Sequence, residues 1–128
     1  MDPNRLKAIP VFASLDDEQL RTIATFAGET SVPEGKELVK EGDYAYELIA
    51  IEEGEAAVMR DGKEVATLKQ GDFFGEIGVL ERTLRTATVV ASTPMRLVTL
   101  THWDLKRVGG ELTARIRETL EARKRENA

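Results

Sequence analysis

Two clusters near the middle of the chain, Gly75-Glu76 with Gly78 and Arg85-Thr86-Ala87, have the residue types and spacing to hold a phosphorylated sugar. Gly75 and Gly78 let the backbone approach a ligand closely, and a short helix starting near Glu76 would aim unpaired N–H groups at an anion. Arg85 adds a planar fork of donors that can meet two phosphate oxygens together, with more geometric definition than a lysine. An ionised Glu76 can only accept hydrogen bonds, so beside a phosphate it needs a donor, and a ribose 2′-hydroxyl is a suitable one. The chemistry these residues suit is recognition of a small monoanionic ribonucleotide.

Other chemistries fit less well. The chain carries 18 Lys and Arg against 23 Asp and Glu, for a net charge of -5, which opposes the polyanionic backbone of nucleic acid but not one small anion held by a local arginine. There is no cysteine, so no disulfide framework, thiolate metal site or cysteine nucleophile. The single histidine, His102, has no second histidine to share a metal and is read as capping or packing. Ser14 and Ser31 lack the setting of a nucleophile, and the glycines fit neither the dinucleotide nor the P-loop pattern. The sequence therefore predicts neither catalysis, cofactor nor metal. No apolar run approaches the roughly 20 residues of a membrane span, and Met1-Asp2-Pro3-Asn4 lacks a signal-peptide layout, which predicts a soluble, cytoplasmic protein.

The elements that must position the two clusters follow from the texture of the chain. Ser14 to Ala27 reads as a helix with Ser14 as N-cap, Asp16, Asp17 and Glu18 in the first turn, Leu20, Ile23, Ala24 and Ala27 on the apolar face, and Gly28 as its end. From Glu29 to Leu100 short apolar stretches alternate with turn signals, which predicts strands near Thr30–Val32, Glu37–Lys40, Glu47–Ile51, Ala56–Arg60, Lys63–Leu68, Ala87–Ala91 and Arg96–Leu100. Asp61-Gly62 sits between two of these as the turn of a tight hairpin with positive φ. Helical texture returns at Trp103–Val108. Gly109-Gly110 is expected to break it, and Glu111–Arg125 resumes with Leu112, Ile116 and Leu120 at i, i+4, i+8. Trp103 and Leu105 are expected to pack within that helix. The basic run Arg123, Lys124, Arg125 is read as a solvated helix end.

The stretch Gly71-Asp72-Phe73-Phe74-Gly75-Glu76-Ile77-Gly78-Val79-Leu80-Glu81-Arg82-Thr83-Leu84-Arg85-Thr86-Ala87-Thr88-Val89 resembles the phosphate-binding cassette of the cyclic nucleotide-binding domain family. Phe74-Gly75-Glu76, Leu80 and Arg85-Thr86-Ala87-Thr88 fall in register with its pattern. The resemblance runs on into Asp43-Tyr44-Ala45-Tyr46-Glu47-Leu48-Ile49 and Glu53-Gly54-Glu55-Ala56-Ala57-Val58. It implies a mainly β chain with flanking helices. The expected fold is an antiparallel β-roll, jelly-roll-like, with an N-terminal helical segment (1–28), the roll (29–100) with its cassette (71–89), and C-terminal hinge and lid helices (101–128), together one domain.

By the same resemblance Glu76 takes the 2′-hydroxyl and Arg85 the phosphate, while Gly75, Thr86 and Ala87 supply contacts around them. Phe74 and Ile77 are secondary candidates, and Leu112, Arg115 and Ile116 are the candidate lid face, with Gly109-Gly110 as hinge. The ligand is expected to be cyclic AMP more than cyclic GMP, although a hydroxyl at Thr86 can also help hold guanine. A ligand-free roll that binds a partner is the alternative. No contact with nucleic acid or membrane is expected, and the C-terminal helix is a candidate surface for a second copy or an effector.

Overall fold

The computed structural model describes residues 1–13, 15–43, 47–74, 87–101, 103, 104, 107, 110, 114 and 118. Two short helices open the chain, α1 (Pro3–Lys7) and α2 (Asp17–Phe26), with a 3-10 turn at Pro10–Phe12 between them. Eight strands follow: β1 (Gly28–Val32), β2 (Glu37–Val39), β3 (Glu47–Glu53), β4 (Ala56–Arg60), β5 (Lys63–Leu68), β6 (Phe73–Phe74), β7 (Thr88–Ala91) and β8 (Met95–Thr101). They pair antiparallel into two four-stranded sheets, ordered β1-β8-β3-β6 and β2-β7-β4-β5.

The first sheet is covered on both faces, and strand alternation sorts its side chains between two cores. Leu48, Ala50, Phe73, Val98 and Leu100 face the helical layer and join Leu6, Ile9, Phe12, Leu15, Leu20, Ile23 and Ala24. Ile49, Ile51, Phe74, Met95 and Leu97 face the second sheet and meet Ala56, Val89 and Ala91 there. This double burial is why Leu48 to Ile51 reads as an unbroken apolar run. Each fully buried Leu, Ile or Phe contributes roughly 1.5–3 kcal/mol.

The N-terminal layer departs from expectation at both ends. Asp16, not Ser14, caps α2: its carboxylate accepts from the Gln19 N–H at 2.8 Å, and the Gln19 side chain accepts from the Asp16 N–H at 3.0 Å. Two groups satisfied at once outcompete a lone serine hydroxyl; Ser14 itself lies outside the described residues. Ala27 closes the helix, and Gly28 opens β1 opposite Thr99. The helix α1, with Pro3 in its first turn and Asp2 as N-cap, is a feature the sequence reading passed over. Its Arg5 reaches across to the sheet, donating through Nε and a terminal nitrogen to Glu52 of β3 at 3.0 and 2.8 Å and pairing with Glu29 of β1. Glu52, then Glu29, hold the guanidinium pKa above its ordinary value, so the clamp keeps its cation at any working pH.

In the second sheet the β4–β5 hairpin turns through Asp61 (φ 53°) and Gly62 (φ 78°), as expected. A register shift between Val58 and Met59 leaves Val65 bulged and 54% exposed. After β8, Thr101 and Asp104 cap the next helix reciprocally: the Thr101 N–H donates to Asp104 Oδ2 at 3.0 Å and the Asp104 N–H to Thr101 Oγ1 at 3.2 Å. Trp103, Asp104, Arg107, Gly110, Ala114 and Glu118 all have helical backbone. Gly110 itself has helical backbone, and Gly109, the other half of the expected break, lies outside the described residues. Trp103 is 56% exposed.

Candidate functional site

Phe74 and Ala87 bracket the segment 75–86, and the structure fixes where each lies. Phe74 ends β6, a two-residue strand at the edge of the first sheet, paired with Ile49 and buried in the inter-sheet core. Two main-chain bonds hold the entrance to β6: the Ile51 N–H donates to Asp72 O at 2.8 Å, and the Gly71 N–H to Ile51 O at 2.9 Å. The sequence reading missed this strand because two residues carry no periodicity. Ala87 is buried at the head of β7, on the row that continues through Val89 and Ala91 into the inter-sheet core. The segment thus leaves one sheet and enters the other, bridging the two walls of the roll.

Burial of the apolar positions of the β4–β5–β7 sheet falls off toward the end where β7 begins. Ala56 opposite Ala91 is sealed, whereas Val58, opposite Val89, is only partly buried, and Ala66, opposite Val58, is exposed. Val39 and Leu68 are likewise partly buried against the same core. Val39 and Val58, partly buried, and Ala66, exposed, are apolar residues toward that end. The sequence reading did not find these residues. Their shared face follows from the β4–β5 register, and the bulge at Val65 hides that register from simple alternation.

Thr88 has a different job: its Oγ1 accepts the Glu41 N–H at 3.0 Å, fixing the turn after β2 against the start of β7. Among the described residues, no group of three or more potential metal-binding side chains occurs, and no helix is long and apolar enough to cross a membrane.

Of the residues expected in the site, Phe74, in the inter-sheet core, and Ala87, just before β7, are described, and both are buried. Gly75, Glu76, Ile77, Gly78, Arg85 and Thr86 lie outside the described residues, as do Gly109 and the lid candidates Leu112, Arg115 and Ile116, together with Leu120, His102 and Leu105.

The sequence profile described as "Cyclic nucleotide-binding domain" matches residues 29–109. The cAMP-dependent protein kinase regulatory subunit of Schizosaccharomyces pombe is 34% identical over 119 residues, covering 92% of this chain and 29% of its own length. A solved structure of a putative cyclic nucleotide-binding protein from Geobacter metallireducens superposes with a TM-score of 0.84 at 28% identity, over 96% of this chain and 98% of that one. The Thermus thermophilus catabolite activator protein superposes with a TM-score of 0.82 at 25% identity, over 92% of this chain and 59% of that one. The chain spans about three-tenths of the length of the first curated relatives it matches. With a profile match that takes in both walls of the roll and the segment bridging them, the chain belongs to the cyclic nucleotide-binding domain family.

Proposed function

We propose that this chain is a non-enzymatic, cytoplasmic regulatory domain that binds a cyclic nucleotide, cyclic AMP in preference to cyclic GMP, at the end of the roll where β7 begins. In this reading Arg85 meets the cyclic phosphate, Glu76 accepts the ribose 2′-hydroxyl, and Gly75, Thr86 and Ala87 complete the cradle, with Phe74 and Ile77 beside it. The observation that supports it is a charged, glycine-containing stretch, 75–86, flanked by the buried Phe74 and Ala87, together with the less buried apolar residues Val39, Val58 and Ala66 toward the end where β7 begins. Those apolar residues also support the base preference. Guanine carries one more exocyclic polar group than adenine, a carbonyl oxygen and an amine in place of an amine alone, and polar groups buried without partners are costly. The curated relatives that the chain matches at 33–34% identity carry cAMP in their names, which supports this preference.

Thermal denaturation with cyclic AMP, cyclic GMP and AMP tests the assignment, because a ligand that binds only the native state raises the midpoint. Cyclic AMP should raise it most and AMP least. Arg85→Ala should weaken cyclic AMP binding by about 2–5 kcal/mol, at least tens-fold, while the midpoint without ligand stays near that of the parent. No shift with either cyclic nucleotide would leave the roll as a partner-binding module with an empty interior.

Binding is coupled, in this proposal, to the C-terminal helix, whose face at Leu112, Arg115 and Ile116 covers the base. Hydrogen exchange across residues 108–125 should slow on saturation with cyclic AMP, and identical exchange in both states would rule the coupling out.

A further inference from the structure

We infer that Thr88 is a positioning residue for ligand binding: its hydroxyl holds the head of β7, and with it the end of the segment 75–86, in place for the ligand. The inference rests on the cyclic nucleotide reading given above. β7 is flanked on both sides, but unequally at its first residue. On the β4 side the antiparallel ladder runs from Ala56 opposite Ala91 to Met59 opposite Thr88, so the head has a strand beside it. On the β2 side the register shifts after Glu37 opposite Val90, and the described pairing stops at Val39 opposite Val89, short of the head. There β2 gives way to a turn, in which the Asp43 N–H donates to Lys40 O at 3.1 Å and Gly42 has φ 90°. Across that gap the Glu41 N–H donates to Thr88 Oγ1 at 3.0 Å, so a side chain takes the place of the missing ladder.

The hydroxyl does this from outside the roll. Val89 and Ala91 face the inter-sheet core, and strand alternation sends Thr88 and Val90 to the opposite face of the second sheet. A hydroxyl there does not touch a ligand bound inside the roll, and it acts through the backbone alone. Ala87 is the next residue along, and Arg85 stands three residues back from Thr88. An anchor that is already fixed spares the ligand the cost of ordering it on binding.

Isothermal titration of the whole chain with cyclic AMP, paired with urea unfolding, tests the inference. Thr88→Val keeps the shape and the strand preference but removes the acceptor. It should weaken cyclic AMP binding by about three- to tenfold, the net worth of one neutral hydrogen bond expressed in affinity. Thr88→Ser, which keeps the oxygen, should stay within about twofold of the parent. The Glu41 amide should exchange faster in Thr88→Val and at the parent's rate in Thr88→Ser. Unchanged affinity in Thr88→Val, whatever its urea midpoint, would show a tie that serves the fold alone and would overturn the inference. So would a serine variant that binds as poorly as the valine one, or a Glu41 amide indifferent to both changes. A parent chain that binds no cyclic nucleotide overturns the ligand reading and this inference with it, whereas a parent and a valine variant that bind equally well overturn the inference alone.

Discussion

Replacing Gly54 by alanine should destabilise the domain far more than the same change in the hairpin, while leaving ligand affinity nearly unchanged. Gly54 sits between β3 and β4 with φ 101°, and a Cβ built there would lie 2.6 Å from the Pro94 carbonyl oxygen, 2.8 Å from Met95 Cγ and 3.0 Å from Thr93 Oγ1. Two costs combine. The left-handed backbone costs an L-residue about 1–2 kcal/mol, and forcing the turn before β8 aside adds about 1–3 kcal/mol. The expected loss is about 2–5 kcal/mol, or roughly 6–20 °C in midpoint for a domain of this size. Gly62 supplies the control, since its φ of 78° carries a similar backbone cost but nothing lies within 4 Å of its missing Cβ. Gly62→Ala should lose only about 1–2 kcal/mol. Urea unfolding of both variants, with calorimetric titration of the folded proteins, separates space from backbone. Equal losses at the two sites would refute the steric part of the reasoning. A large loss of affinity in Gly54→Ala would refute the placement of the site at the opposite end of the roll, since Ala56 and Ala91 seal the end where Gly54 lies.

Two further outcomes test the ligand reading. Glu76→Ala should weaken cyclic AMP by about ten- to a hundredfold, the value of a hydrogen bond to a charged group, and should barely change binding of the 2′-deoxy analogue; isothermal titration with both ligands reads the difference directly. Val58→Asp, which puts a carboxylate among the less buried apolar residues of the roll, facing an anionic ligand in this reading, should reduce cyclic AMP affinity at least tenfold at low salt, with partial recovery in high salt as the repulsion is screened. Unchanged affinity there would move the base away from β4.

The strands whose turns are punctuated by glycine were legible from sequence: Ala56–Arg60 and Lys63–Leu68 fall within the bounds expected from Asp61-Gly62. Strands that depend on tertiary partners were not. Phe73–Phe74 is a strand only because β3 offers it an edge, and Thr101 extends β8 because Glu47 lies opposite. The start of α2 was misplaced for a local reason, since Ser14 and Asp16 are both plausible caps and only the returning Gln19 side chain decides between them. At the site, sequence marked the polar cluster through residue type, which is conspicuous. The valines and alanine toward the head of β7 are ordinary core residue types, and only the graded burial from Ala56 to Ala66 sets them apart.

In β3 neighbouring residues answer to different masters: Leu48 and Ala50 are shaped by the helices above, Ile49 and Ile51 by the second sheet below. The strand therefore works as a party wall between two tenancies. Substitutions on odd-numbered positions can retune what the roll accommodates while the helical storey keeps its fit, and changes on even-numbered positions can do the reverse. Two adjacent phenylalanines at 73 and 74 obey the same division, one lodged on each side.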